Sequence, residues 1–145
     1  LLSVQEERLT PKPLPRPSFR SNMALDIRKA MQTRLTIRLD FDGSRRLGPG
    51  KIALLESIGE TGSISAAGRA HAMSYRKAWL LVEEMNRMFA KPLVAARPGG
   101  VRGGGAELTA AGVQVVALYR AAERKMRVGA RAEIARMEKA LATVG

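Results

Sequence analysis

The sequence predicts a mainly α fold with a small β-sheet, and three stretches carry that prediction. Residues 63–90 hold a short run of small residues, a tight turn, and a longer run whose apolar residues recur at helical spacing. Residues 93–108 read as two short strands around a glycine-rich tip. From Thr109 to about Leu141, apolar residues recur at steps of three and four. In order, these describe a winged helix-turn-helix followed by a long C-terminal helix.

The central stretch is the most informative. Its first helix places Ile64, Ala67 and Ala70 on one side. Its second opens at Ser74, a favourable N-cap, and sets Ala78, Leu81, Val82, Met85 and Phe89 in one apolar stripe. The opposite face begins with Tyr75, Arg76 and Lys77. A second helix that starts polar and basic suits insertion into the major groove, where its N-terminal residues meet base edges. The reading is therefore a protein that binds double-stranded DNA.

Composition agrees with it. The 145 residues suffice for one domain plus a tail. Twenty-five Lys and Arg oppose thirteen Asp and Glu, a formal net charge of +12, which suits a polyanionic partner. No run is long and apolar enough to span a bilayer. The absence of Cys excludes a disulfide framework, a thiol nucleophile and a zinc–cysteine site, and fits a reducing cytoplasm. A cytoplasmic, nucleoid-associated location is expected.

Taken in order, residues 1–22 alternate Pro11, Pro13, Pro15 and Pro17 among scattered Arg and Lys. Such a segment cannot build a core and reads as an extended tail. A Met first appears at Met23, so this tail can be a start-site artefact. A short helix is expected over 24–33. Residues 35–41 alternate: Leu35, Ile37, Leu39 and Phe41 lie on one face, Thr36, Arg38 and Asp40 on the other, the pattern of a half-buried strand. Residues 42–50 are rich in turn formers. Their glycines do not make a phosphate loop, because the spacing puts Pro49 where Lys is needed and Ile52 where Ser or Thr would hold magnesium. A helix follows over 51–59, with Ile52, Leu55 and Ile58 inward and Gly59 and Gly62 near its end.

After Phe89, Pro92 ends the helix. Residues 93–97 and 106–108 form the strands of a hairpin, the wing, with Arg97 and Arg102 placed to secure the DNA backbone. Thr109 caps the last helix, about 48 Å long at 1.5 Å per residue. Its seam of Val115, Leu118, Ala122, Met126, Ile134, Met137 and Leu141 suits helix pairing, so a homodimer is expected through it. Gly112 and Gly129 weaken that helix by roughly 1 kcal/mol each. The domains are then a tail (1–22), a DNA-binding domain (23–108) and a dimerisation helix (109–145).

The expected DNA-contact set is Ser63, Ser65, Ser74, Tyr75, Arg76, Lys77, Trp79, Arg97 and Arg102. Arg76 can pair bidentately with guanine, and Lys77 serves as a point charge on phosphate. Ser65 and Ser74 read as helix caps, with Ser63 a weaker claimant. Trp79 either packs under the wing or touches a thymine methyl or sugar. His71, the single histidine, reads as a packed helix-end residue. Glu83 and Glu84 point apart on a helix and read as surface charges. With one His, no Cys and no HExxH, there is no catalytic constellation and no metal site, and no cofactor is expected.

Three stretches carry a family resemblance: G-S-I-S-A-A-G-R-A, then M-S-Y-R-K-A-W-L-L-V-E-E-M-N, then G-G-V-R-G-G-G-A-E-L-T-A-A-G. They resemble the DNA-binding domain of ModE-type molybdate-responsive transcription regulators, which is related to the LysR-type winged helix-turn-helix. The resemblance spans about residues 34–125. It implies a winged helix fold, a homodimer and control of genes for molybdenum uptake or use. Ala72 stands where the family commonly has Gly in the tight turn. An Ala held at positive φ costs on the order of 1 kcal/mol; otherwise the turn is shaped differently. The family's molybdate site lies in C-terminal, β-rich domains that residues up to Gly145 do not contain, so molybdate binding by this chain is not expected. Two other readings stay open: a nucleoid-like protein with little sequence preference, and an interaction module that pairs with a separate sensor chain through its last helix.

Overall fold

A computed structural model describes residues 32–100 and 103–143. The tail over 1–22, most of the helix expected over 24–33, and Arg102 lie outside the described residues. The elements below all belong to one unit, residues 35–145.

Among the described residues there are five helices and two two-stranded antiparallel sheets. The half-buried strand expected over 35–41 is shorter than its alternation suggests. Ile37 is buried, Leu39 packs on the core, and Thr36, Arg38 and Asp40 are exposed. Only β1 (Leu39–Asp40) finds a hydrogen-bonded partner, in β2 (Arg46–Leu47). Phe41 lies half exposed, edge-on to Phe89 at 6.1 Å between ring centroids. The β1–β2 turn is fixed by Asp42. Its Oδ1 accepts from the backbone N–H of Ser44 (3.1 Å) and Arg45 (3.0 Å), and Oδ2 accepts from Arg45 Nε at 2.6 Å. These bonds, the Arg45 side chain first, hold the Asp42 carboxyl well below the usual carboxylate range.

The first helix, α1 (Pro49–Thr61), starts two residues before the expected position because Pro49 occupies N1, where its missing N–H costs nothing. It buries Ile52, Leu54, Leu55 and Ile58 completely, each worth about 1.5–3 kcal/mol of transfer free energy. Gly62 caps its C-terminus in the left-handed conformation (φ 68°). Then come α2 (Ile64–Ala70) and α3 (Tyr75–Met88). The hairpin follows as β3 (Val94–Gly100) and β4 (Gly103–Leu108), paired from Val94 with Leu108 to Gly100 with Gly103, with an irregularity between Arg97 and Gly100.

The long C-terminal helix is two helices, α4 (Ala110–Gly129) and α5 (Arg131–Lys139). They join at Ala130 (φ −100°, ψ 9°), which departs from helical geometry just after Gly129. Glycine is a poor helix former, and Gly129 lies in open space, with nothing within 4 Å of where a Cβ would stand. Two bonds still bridge the junction, Ala130 N–H to Met126 C=O and Ile134 N–H to Ala130 C=O, both 2.9 Å. No described helix is long and apolar enough to cross a membrane.

The core does not end at the hairpin. Tyr119 of α4 is buried in it, and Ala111, Val115, Val116 and Ala122 pack against it. Gly112 is a requirement rather than a weakness: a Cβ there would stand 2.1 Å from the Leu93 carbonyl oxygen. Tyr119 Oη donates to the Ile37 carbonyl at 2.6 Å, tying α4 to the N-terminal segment. Beside it, Arg120 bridges Glu56 of α1 and Glu123 of α4, the latter at 2.8 Å, and lies over the Tyr119 ring. Those carboxylates push Arg120 further above its usual range.

Burial first, and the Glu123 charge second, raise the Tyr119 hydroxyl above its ordinary value of 10.0. The neutral phenol is therefore the form that folding favours. Its contribution is complete below pH 10 and is lost as pH rises toward the folded-state value. Tyr119→Phe is expected to lose about 1–3 kcal/mol at neutral pH, because the Ile37 carbonyl is left unpaired. Between pH 9 and 11 its stability should fall less than the parent's. Urea denaturation across that range measures both.

Candidate nucleic-acid interface

The surface of interest is built by close packing of small residues. Ser63 caps α2, its hydroxyl accepting from Ala66 N–H at 3.1 Å. Ala67 and Gly68 are buried, and a Cβ at Gly68 would touch the Ala78 Cβ at 3.0 Å. Nothing larger fits between α2 and α3. The turn closes with Met73 N–H to Gly68 C=O (2.9 Å) and Ala72 N–H to Arg69 C=O (3.2 Å), and Ala72 takes φ 54°. Ser74 then caps α3 by accepting from Lys77 N–H at 3.1 Å.

Helix α3 buries Ala78, Val82, Met85 and Met88 and packs Leu81 and Phe89 at the core edge. Its other side is open. Tyr75, Arg76, Lys77, Trp79, Leu80 and Arg87 are exposed, with Tyr75 at 60%, Leu80 at 50% and Trp79 at 43%. Two clefts flank it. One, of about 230 Å³, is lined by Ser63, Ile64, Ser65, Tyr75, Gly105 and Ala106. The other, of about 440 Å³, lies between Trp79, Leu80, Glu83, Glu84, Arg87 and Met88 of α3 and Ser44 and Arg45 of the β1–β2 turn.

The hairpin is locked to the α1–α2 junction. Ala106 N–H donates to the Gly62 carbonyl at 2.9 Å. A Cβ at Gly105 would come within 2.3 Å of that same oxygen, so only glycine permits the approach. The Arg97 guanidinium lies over both glycines, about 3 Å from where their Cβ atoms would be. This holds a cation beside Ser63.

Charge is distributed unevenly. Among the described residues, Arg76, Lys77 and Arg97 make no ion pair. Arg38, Arg46, Arg45, Lys51 and Arg120 are each paired with a carboxylate away from the first turn of α3. The first turn of α3 and the adjoining hairpin strand thus keep their positive charge available.

Several expected residues take other places. Ser63, not Ser65, caps α2, because the helix begins at Ile64; Ser65 instead accepts from Arg69 Nη1 at 2.8 Å. Trp79 does not pack under the hairpin but lines the cleft beside the β1–β2 turn. His71 is exposed rather than packed, its Nε2 2.7 Å from Ser57 Oγ. Glu83 and Glu84 are surface charges, paired with Arg87 and Lys51. In the last-helix seam, Val115 and Ala122 pack on this chain's own core. Leu118, Met126, Met137 and Leu141 are exposed and Ile134 is half-buried. Leu80, Arg87, Ser44 and Arg45, which were not among the expected residues, line the larger cleft beside α3. Leu80 and Arg87 follow Arg76 by four and eleven residues, a helical spacing that could have found them.

Proteins similar to this chain include a molybdenum-pterin-binding protein, a molybdenum transport protein and a transcriptional regulator. No family model matches it. The molybdenum-pterin-binding protein MopB of Rhodobacter capsulatus is 53% identical over 78 residues, 54% of this chain and 29% of MopB. The molybdenum transport protein ModE of Azotobacter vinelandii is 42% identical over 85 residues, 59% of this chain and 32% of that protein. The DNA-binding transcriptional dual regulator ModE of Escherichia coli (strain K12) is 36% identical over 89 residues, 61% of this chain and 34% of that protein. The chain therefore matches about a third of the length of these relatives.

The strained turn yields a direct test. Ala72 is exposed and holds a left-handed conformation that costs a non-glycine residue on the order of 1 kcal/mol. Ala72→Gly removes that strain but loosens the unfolded chain. The expected net gain is about 0.5 kcal/mol, read as a higher urea midpoint at unchanged slope.

Proposed function

We propose that this chain is the DNA-binding portion of a ModE-type transcription regulator, a winged helix-turn-helix that grips double-stranded DNA as a homodimer and controls molybdenum-related genes. It is read as a non-enzymatic protein acting on the nucleoid. The observation that carries the proposal is the first turn of α3: Tyr75, Arg76 and Lys77 project from the second helix of a tight helix–turn–helix pair, with both cations free of ion pairs among the described residues. The relatives' names support the regulatory and molybdenum-linked part of the reading.

In this reading α3 enters the major groove. Arg76 pairs with guanine O6 and N7, and Lys77 meets a phosphate. Tyr75 and Trp79 stand at the groove's edge, and the hydroxyls of Ser63, Ser65 and Ser74 hydrogen-bond backbone phosphates. Arg97, held over Gly62 and Gly105, and Arg102 secure the hairpin on the same backbone. No molybdate site is assigned to this chain.

Dimerisation is assigned to the end of α4 and to α5. Along α4 the face carrying Ala111, Val115, Tyr119 and Ala122 covers this chain's own core. Beyond it, Met126 at the end of α4, Ile134 and Met137 of α5 and Leu141 just after α5 are apolar and not buried. An apolar face that outruns its own domain suits a second copy of itself.

Fluorescence titration with specific and scrambled duplexes tests the DNA reading. Affinity should fall steeply as salt rises, because binding releases counterions; a flat dependence sinks the proposal. Arg76→Ala should cost about 1–3 kcal/mol on the specific duplex, while an equal loss on both duplexes reassigns Arg76 to phosphate. Equal binding of both by the parent protein would favour a nucleoid-like role.

The dimer is tested separately. Helix α5 has no buried residue, so replacing Ile134 and Met137 with Lys should leave the fold intact. The expected product is a monomer by sedimentation, with much weaker binding to a palindromic duplex. A persistent dimer would place the interface elsewhere.

A further inference from the structure

Resting on the DNA-binding reading, we propose that Leu80 is a specificity residue that meets the 5-methyl group of a thymine, in register with the guanine read by Arg76.

The inward face of α3 is filled by Ala78, Val82, Met85 and Met88. Leu80 takes no part in it and is half exposed. At about 100° per residue, Arg76, Leu80, Glu83 and Arg87 fall within about 60° of one another, so they form one outward strip. The strip is a ridge on the exposed side of α3: Leu80, Glu83 and Arg87 line the larger cleft with Trp79, and Tyr75 lines the smaller one. A helix inserted into a groove would present this ridge to the base edges.

Charge along the ridge selects its partner. Arg76, at the N-terminal end, makes no ion pair among the described residues, whereas Glu83 is paired with Arg87 at 3.3 Å. The pair removes the repulsion that a free carboxylate would exert on phosphates. What remains is one free cation followed, a turn later, by a leucine. In the major groove the apolar group offered by base edges is the thymine methyl. Leu80 follows Arg76 by four residues, about 6 Å along the helix axis, which is about two base-pair steps at 3.4 Å each. The thymine is therefore expected about two base pairs from the guanine. A protein partner would also cover Trp79 and Leu80, but a ridge headed by an unpaired arginine in a chain of net charge +12 favours nucleic acid.

The test starts from a random-sequence duplex pool. The most enriched duplex is selected with the full chain, and each thymine is then replaced in turn by deoxyuridine, which removes only the methyl. For the parent protein, one position should lose about fourfold in affinity, the worth of one buried methyl group. For Leu80→Ala that position should become insensitive to the replacement. Binding of a scrambled duplex and the circular dichroism spectrum should stay as in the parent. Leu80→Met, which keeps an apolar contact, should retain the sensitivity.

Thymine sensitivity that persists in Leu80→Ala, or its absence in the parent, overturns the assignment. Unchanged affinity of Leu80→Ala for every duplex would do the same and turn Trp79 and Leu80 over to a protein partner. If no sequence is enriched while scrambled duplex still binds, the specificity role falls and the DNA-binding reading stands. If no duplex binds at all, both fall.

Discussion

Leu93 is the residue on which three elements close. It is fully buried, and the backbone around it is held from both sides. The Asn86 side chain accepts from the N–H groups of Leu93 (2.9 Å) and Val94 (3.0 Å) and donates to the Val94 carbonyl (3.1 Å). From the other side, Thr109 N–H donates to the Leu93 carbonyl (2.9 Å), and Thr109 Oγ1 donates to that of Pro92 (2.6 Å). Thr109 also caps α4 by accepting from Gly112 N–H. One amide side chain and one hydroxyl thus fix where α3 ends, where the hairpin begins and how α4 departs. A buried backbone left without such partners would cost about 1–3 kcal/mol per group, which explains why polar residues stand at these core-facing positions. Gly112 completes the knot by letting α4 approach the Leu93 carbonyl.

The parts of this architecture that follow one periodicity were legible from residues alone. The inward stripe of α3 and the inward face of α1 are simple helical repeats: Ala78, Val82 and Met85, and Ile52, Leu55 and Ile58, are buried as their spacing implies, while Leu81 and Phe89 reach only the core edge and Met88 and Leu54 join the core beside them. The hairpin was legible through Pro92 and the glycines, but its strands run three residues further into the expected tip on each side, to Gly100 and from Gly103. What failed did so for identifiable physical reasons. Ser63 and Ser65 both precede plausible helix starts, and only the backbone conformation of Ser63 (φ −149°, ψ 126°) decides between them. Trp79 lies where a stripe meets solvent, so its neighbour depends on the β1–β2 turn, which no local pattern places against α3. Thr109 was legible as the cap of the last helix and is one, but its bond to Pro92, seventeen residues away, and the bonds of Asn86 to residues seven and eight positions on leave no local pattern.

The last helix shows a subtler failure. A seam at steps of three and four does not say whose surface it meets. Along α4 it meets this chain's own core through Val115 and Ala122, with Tyr119 buried where the spacing had selected Leu118. Leu118, which belongs to the same run of apolar residues, faces away and is 62% exposed. The seam is therefore two surfaces in series, one internal and one open, and sequence periodicity cannot mark the point where one becomes the other. The core places it after Glu123, the last buried residue of α4.

This continuity has a consequence for the proposed dimer. Because the same helix packs on the core and then projects beyond it, the position of α3 relative to a partner copy is set by the Leu93 knot and by the direction of α4. Two recognition helices must stand about one DNA turn apart to read a palindrome. A rigid α4, pinned by the Tyr119 bond to Ile37 and by Arg120 between Glu56 and Glu123, carries that spacing from the core to the interface. The weak point is the Gly129–Ala130 junction, where helical geometry lapses. If two copies pair through α5 as proposed, bending at this junction would change the distance between their α3 helices without disturbing either core.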